Sequence, residues 1–242
     1  VARLTLDMAK ILSETSHGPY RDLVFTRDQM KELEYASLLH DFGKLGVREQ
    51  VLVKAKKLYP WQLEVILERF SHARSRLEVE QLRNHIEYLQ NPQNFPPGWE
   101  PANFNKKLSD QTNELDEYIA FILKANEPTV LEQGGFELLK EIASRQYQDS
   151  TQHHHALLKA EELKALSVSR GSLTREEFAE IQSHVTHTYE FLRKIPWGRA
   201  FAQVPQIAAK HHEKLDGSGY PTSAQAEEIP VQSRIMTIAD IS

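Results

Sequence analysis

LTREEFAEIQSHVTHTYEFL, residues 173–192, is the stretch that decides the fold. Leu173-Thr174 followed by Glu177-Phe178 has the form of a capping box with a hydrophobic staple. Phe178, Ile181, Val185, Leu192 and Ile195 then follow in steps of three and four, with a gap at Thr188, until Pro196 closes the run. That pattern predicts a helix, and His184 rides on it. Phe25-Thr26 with Gln29-Met30 repeats the start signal and opens a second helix through Leu33, Leu38 and Leu39. It delivers His40 and Asp41 near its end, where Gly43 and Gly46 break it.

The same period extends over most of the chain. Leu4, Met8, Ile11 and Leu12 mark a first helix, and 61–89 reads as one or two helices. The Pro- and Asn-rich stretch 91–105 reads as a loop. Further helices are expected around 115–122 and 136–142, and Pro205 fits the first turn of a short helix leading to His211 and His212. His153, His154 and His155 read as a polar loop or a helix start. No Val/Ile/Thr alternation is long enough for a sheet, so the fold class is all-α. The pattern is already helical at Val1 and stops mid-phrase at Ile238–Ser242, as expected of a fragment of a longer chain.

Composition narrows the function. The 242 residues are 40% hydrophobic, enough for a real core, and the net charge of −5 gives no general attraction to nucleic acid or an acidic membrane. With no cysteine, disulfides, thiolate zinc sites and thiol nucleophiles are excluded. No apolar run reaches the roughly 18 residues of a membrane span, and no secretory leader is visible. The expected location is the cytoplasm.

Two short motifs carry the chemistry: LLHDFGKLG at 38–46 and HHEKLDGSGYP at 211–221. Imidazole nitrogen with carboxylate oxygen suits divalent iron, manganese or zinc. A buried Asp41 needs a cation to stay ionised, and its two oxygens could bridge two ions. Alone, His40-Asp41 would more often be a core histidine beside a capping aspartate, and His211-His212 one buried and one exposed histidine. Glu213 could orient an imidazole, form a solvent ion pair or scaffold the loop. Asp216–Pro221 is a turn by composition, whose glycines permit close backbone approach and whose Tyr220 could stack or donate a hydrogen bond.

Taken together and in this order, the motifs resemble those of the HD-GYP family, phosphodiesterases of the HD metal-dependent phosphohydrolase superfamily. The resemblance covers roughly 1–58 and 153–242. It implies an HD-superfamily helical bundle divided into 1–58 (HD motif), a helical insertion at 59–152, and 153–242 (HHE and GYP motifs). It implies six metal ligands: His40, Asp41, His184, His211, His212 and Asp240. His184 and Asp240 are the residues that match within 173–192 and within the phrase SRIMTIAD at 233–240. His187 is the rival of His184, and His72, His85 and His17 have no supporting context. At Thr188 many members have glycine. The implied cofactor is two divalent ions, or three, with iron or manganese favoured.

The implied activity is hydrolysis of cyclic di-GMP to pGpG, GMP or both, by a hydroxide bridging the metals. Asp41 and Lys44 are the catalytic residues, and Lys44, Gly219, Tyr220 and Pro221 contact substrate. Lys44 also fits a plain helix C-terminal lysine favoured by the dipole. The alternatives are another metal-dependent nucleotide phosphohydrolase, or a degenerate receptor that binds a cyclic nucleotide without turnover. No nucleic acid polymer or membrane partner is expected. A homodimer through the inserted helices and a sensory or receiver domain upstream complete the expected partners.

Overall fold

The computed structural model describes residues 1–96, 98–131, 133–149 and 151–241. Pro97 of the expected 91–105 loop and Ser242 of the closing phrase lie outside them. In chain order the helices are α1 (Ala2–Glu14), α2 (Arg27–Leu39), α3 (Glu49–Leu52), α4 (Pro60–Gln90), α5 (Pro101–Ala125) and α6 (Gly135–Ser144). A small antiparallel hairpin follows, β1 (Gln146–Gln148) and β2 (His154–Ala156). The chain then continues through α7 (Ala160–Leu166), α8 (Arg175–Leu192), α9 (Val204–Ala209) and α10 (Val231–Asp240). The all-α expectation holds.

The chain divides into two compact units, Val1–Val53 with Arg175–Ser242, and Lys54–Thr174. These borders differ by a few residues at the first and by about twenty at the second from the 58/59 and 152/153 that the resemblance implies.

In the first unit α1 packs on α2 and α10, α2 on α9, and α8 on α9 and on the turn after α2. Ala9, Leu33, Ala36, Leu192, Val204, Ile207, Ala208, Ile235 and Met236 form its core. The expected capping box is present: Thr26 Oγ1 accepts from Gln29 N (3.2 Å) and Gln29 Oε1 accepts from Thr26 N (2.9 Å). It starts α2 in a fixed register, and that register sets where His40 falls. Of the residues that marked α1, Met8 and Leu12 pack against the core, while Leu4 and Ile11 are exposed. Phe178, the first apolar residue of the 173–192 pattern, is exposed as well.

The second unit has its own core, including Ile66, Phe70, Leu115, Ile122, Leu139, Ile142, Leu158 and Leu166. Arg69 is buried in an ion pair with Glu162 and donates to Leu157 O at 2.8 Å. The 61–89 stretch lies within one unbroken helix of 31 residues, α4. Two expectations are corrected here. Residues 101–105 are the first turn of α5, not loop, because Asn103 Oδ1 accepts from Glu100 N at 3.2 Å and Pro101 stands where a helix needs no donor. His154 and His155 lie in β2, not in a loop or helix start. The reason is a tight turn in which Asp149 Oδ1 accepts from Thr151 N (2.7 Å) and His153 N (3.0 Å), with Gln152 at φ 70°.

Candidate metal centre

Three histidines of the first unit are built alike. His40 Nδ1 donates to Ser37 O (2.8 Å), His184 Nδ1 to Ile181 O (2.6 Å) and His211 Nδ1 to Ala208 O (2.6 Å). A carbonyl only accepts, so each Nδ1 carries the proton and each Nε2 is left to face the site. This is the tautomer and orientation that metal-ligating imidazoles take from outer-shell partners. All three side chains are buried.

The Nε2 atoms converge with the carboxylates. His184, His211 and His212 bring ligand atoms within 4.8 Å of one another, and so do His40, His211 and Asp240. Asp41 stands between the two groups. Its Oδ1 is 3.3 Å from His184 Nε2, and its Oδ2 is 3.3 Å from His40 Nε2 and 2.7 Å from Lys44 Nζ. Asp240 Oδ1 lies 3.2 Å from His40 Nε2. All six residues expected as ligands are thus gathered in one place, with His211 common to both groups.

The electrostatics suit a cation. Burial opposes ionisation of Asp41, but the His184 and His40 rings and the Lys44 ammonium against it outweigh burial and hold the carboxyl well below the ordinary carboxylate range. For His40, burial pulls the other way from the Asp41 and Asp240 carboxylates, and the carboxylates win, raising its pKa. Burial and the neighbouring His212 push His211 down to about 3, and burial and His184 push His212 down to about 4. Both rings stay neutral at physiological pH, as ligation requires.

Asp41 Oδ1, His184 Nε2 and His211 Nε2 are buried without a hydrogen-bond partner among the described residues. Such orphans are rare in a native interior and call for an explanation. Here three of them point at one spot, and the donor set of imidazoles and carboxylates fits divalent metal ions there.

Residues 144–241 match the HD domain family. That span holds His184, His211, His212, Asp240 and the GYP loop, while His40 and Asp41 join them through the fold. Over this span the chain is similar to HD domains, and it is similar to proteins named as cyclic-dinucleotide phosphodiesterases. Among its relatives, the "3'3'-cGAMP-specific phosphodiesterase 2" of Vibrio cholerae is 46% identical over 72 residues, 29% of this chain and 13% of that protein. The "Cyclic di-GMP phosphodiesterase response regulator RpfG" of Xanthomonas campestris is 40% identical over 72 residues, 29% of this chain and 18% of the relative. A "Cyclic di-GMP phosphodiesterase" of Thermotoga maritima is 36% identical over 74 residues, 29% of this chain and 19% of the relative. The chain spans less than a fifth of the length of these relatives.

The core of the first unit is braced by residues that no motif announced. After α2 the chain enters a 3-10 turn, Phe42–Gly46, laid against α8. Thr188, fully buried, staples it: its Oγ1 donates to His40 O and accepts from Gly43 N, both at 2.9 Å. The gap in the 173–192 apolar pattern is therefore occupied by the hydroxyl that fixes the HD turn. On α10, Ser233 Oγ donates to Ile207 O (2.9 Å) and Thr237 Oγ1 to His211 O (2.6 Å), with Asp240 at the same face's end. The polar spacing i, i+4, i+7 within SRIMTIAD was the available signal.

Thr188→Val keeps the shape but leaves the buried Gly43 N–H and His40 carbonyl without this partner. We expect a loss of about 1–3 kcal/mol in denaturant unfolding, with Thr188→Ser close to wild type. Equal stability of Val and wild type would remove the staple from the account.

Glu213 turns out to be loop scaffold. Its Oε1 accepts from Thr222 N and Oγ1, both at 2.7 Å, and its Oε2 from Ala224 N at 2.9 Å. Gly219 lies so close to the Glu213–Lys214 backbone that an added Cβ would sit 2.4 Å from Lys214 N. Tyr220 stacks on His212 (centroids 4.8 Å, 25° between planes) and donates its backbone N–H to His212 O at 3.2 Å. Burial and the Asp240 and Asp41 charges push its phenol up to about 12, so it keeps its proton. Lys44 remains 46% exposed at its side chain while paired to Asp41. Pro221 follows Tyr220 through a cis peptide bond.

The other histidines stay apart from the set. His187 is exposed beside Gly46. In the second unit, His155 Nε2 bonds Asp149 Oδ2 (2.8 Å) and His153 Nδ1 bonds Thr151 Oγ1 (2.7 Å), both within the hairpin. His72 and His17 are exposed.

Proposed function

We propose that this HD-GYP domain is a metal-dependent phosphodiesterase that opens cyclic di-GMP to pGpG, to GMP, or to both. The three inward-facing orphan atoms of Asp41, His184 and His211 carry this reading. His40, Asp41 and Asp240 would hold one ion and His184, His212 and Asp41 the other, with His211 in reach of both groups. Iron or manganese suits this set of imidazoles and carboxylates. Bound there, such ions supply Lewis-acid polarisation of a phosphoryl oxygen and a water acidic enough to react near neutral pH.

The protein's own residues do the rest. Asp41 is held in its charged form by the His184 and His40 rings and the Lys44 ammonium beside it. Lys44 presents a compact, half-exposed cation beside it, suited to a non-bridging phosphate oxygen that gathers charge as the bond breaks. Tyr220 keeps its phenolic proton and can donate it in a hydrogen bond to substrate, with Gly219 and Pro221 shaping the loop around it. Among the described residues no helix is long and apolar enough to cross a membrane. A cytoplasmic location follows from the substrate. The relative named a response regulator supports an attached receiver or sensory domain.

A second reading concerns the substrate: 3'3'-cGAMP in place of cyclic di-GMP, favoured by the 46% identity to a relative named for it. A panel of cyclic di-GMP, 3'3'-cGAMP and simple nucleotide monoesters, given to iron- or manganese-loaded protein and resolved by chromatography, tests both. We expect linear dinucleotide or mononucleotide from a cyclic dinucleotide and none from the monoesters. Calorimetric binding without product over hours would establish a receptor instead.

A further inference from the structure

The second unit presents an apolar seam that its own fold leaves bare. Val79, Leu82, Ile86 and Leu89 of α4 are 37%, 58%, 54% and 69% exposed. They recur in steps of three, four and three, and lie about 160° around the helix from its core-facing residues. That opposite face is taken: Gln81 Nε2 bonds Asn105 Oδ1 (3.0 Å), Tyr88 OH bonds Trp99 O (3.0 Å), and the His85 ring stacks on Phe104. So the seam is not a core face turned outward by a shift in register. Four apolar side chains stand in line on a helix already anchored from behind.

From this seam we infer that two copies of the chain associate through a parallel, two-stranded coiled coil of α4 over residues 79–89. The step pattern is that of a and d positions in a heptad: Val79 and Ile86 at a, Leu82 and Leu89 at d. β-branched residues at a with leucine at d are the combination that selects two parallel strands over three or four. The flanking charges select the same partner. Glu78 occupies g and Arg83 the e position five residues on, the pair that meets across a parallel dimer, and symmetry forms it twice. In an antiparallel pair, g faces g and e faces e, so Glu78 would not meet Arg83. Both residues are exposed, and neither has an ion pair among the described residues.

The seam fades toward the start of α4, where His72 and Ser75 take the next a and d positions. The coil is therefore short, and association is concentration-dependent. It rests on the second unit alone, independent of the metal-site reading.

The test is sedimentation velocity on the whole chain across a concentration series, with variants on exposed positions that leave the core untouched. Wild type is expected to pass from monomer to dimer as concentration rises. Leu82→Glu with Ile86→Glu is expected to stay monomeric with unchanged helicity. Glu78→Arg should weaken association about fivefold, and adding Arg83→Glu should restore it. Because the chain has no cysteine, Val79→Cys and Leu89→Cys each provide one thiol. In a parallel coil both face their own copies and cross-link on mild oxidation, whereas Val130→Cys, exposed in the same unit, does not. A wild type that remains monomeric throughout, or a dimer that survives the two glutamates, would overturn the inference. A dimer in which neither seam thiol cross-links would overturn the parallel arrangement.

Discussion

Asp41→Ala is expected to strip the domain of bound metal and to lower phosphodiester hydrolysis by about 10³-fold or more. Asp41 is the residue whose two oxygens reach both ligand groups, at 3.3 Å from His184 Nε2 and 3.3 Å from His40 Nε2. Its removal also leaves Lys44 without its 2.7 Å partner. His211 also reaches both groups, but with a single neutral nitrogen; Asp41 brings a negative charge and an oxygen to each. Elemental analysis after dialysis, alongside turnover of a cyclic dinucleotide, measures both effects. Asp41→Asn separates charge from shape, because the amide keeps the volume while losing the negative charge that favours a cation. A variant with full metal content and wild-type turnover would end the proposal that this cluster is the reaction centre.

Gly43→Ala should be the most damaging single methyl in the first unit. A Cβ there would lie 1.9 Å from His184 O and 2.6 Å from Thr188 N, both backbone atoms of α8. Neither can swing aside as a side-chain tip would. Either α8 retreats, taking His184 with it, or the 42–46 turn lifts, taking Asp41 and the Thr188 staple. We expect about 3 kcal/mol or more of destabilisation in urea unfolding, beyond the usual cost of overpacking because the clash is with main chain. Metal binding should weaken in parallel, since the two ligands sit on opposite sides of the contact. Unchanged stability with full metal content would show that the turn does not rest on α8 as described.

The two halves of the site differ in how readable they were. His40, Asp41, His211 and His212 stand in dense motifs, and His184 was readable because a helix pattern with a start signal, broken only at Thr188, surrounds it. Their gathering could not be read, because it depends on how α2, α8, α9 and α10 pack over nearly two hundred residues of separation. Thr188 was visible only as a break in the apolar pattern. Periodicity scores hydrophobicity, whereas Thr188 is buried for its hydroxyl, which serves one donor and one acceptor at once. Glu213 stayed open among three roles because a buried carboxylate that accepts backbone donors looks, in sequence, like one that faces solvent. The His153–His155 hairpin escaped because Asp149, not strand propensity, organises it. In the 91–105 stretch, proline content outweighed the helix start at Glu100–Asn103.

The placement of Lys54–Thr174 between the two parts of the first unit sets an order of events during synthesis. His40 and Asp41 leave the ribosome early, and their partners on α8 to α10 are made only after the whole intervening segment. At ~5–20 residues per second that delay is on the order of ten seconds. For that time α1 and α2 have no α9 or α10 to cover Ala9, Leu33 and Ala36. A nascent chain arrested before residue 175 should therefore be readily cut by protease within its first fifty residues and be a good client for a chaperone. One arrested beyond the emergence of α10 should resist.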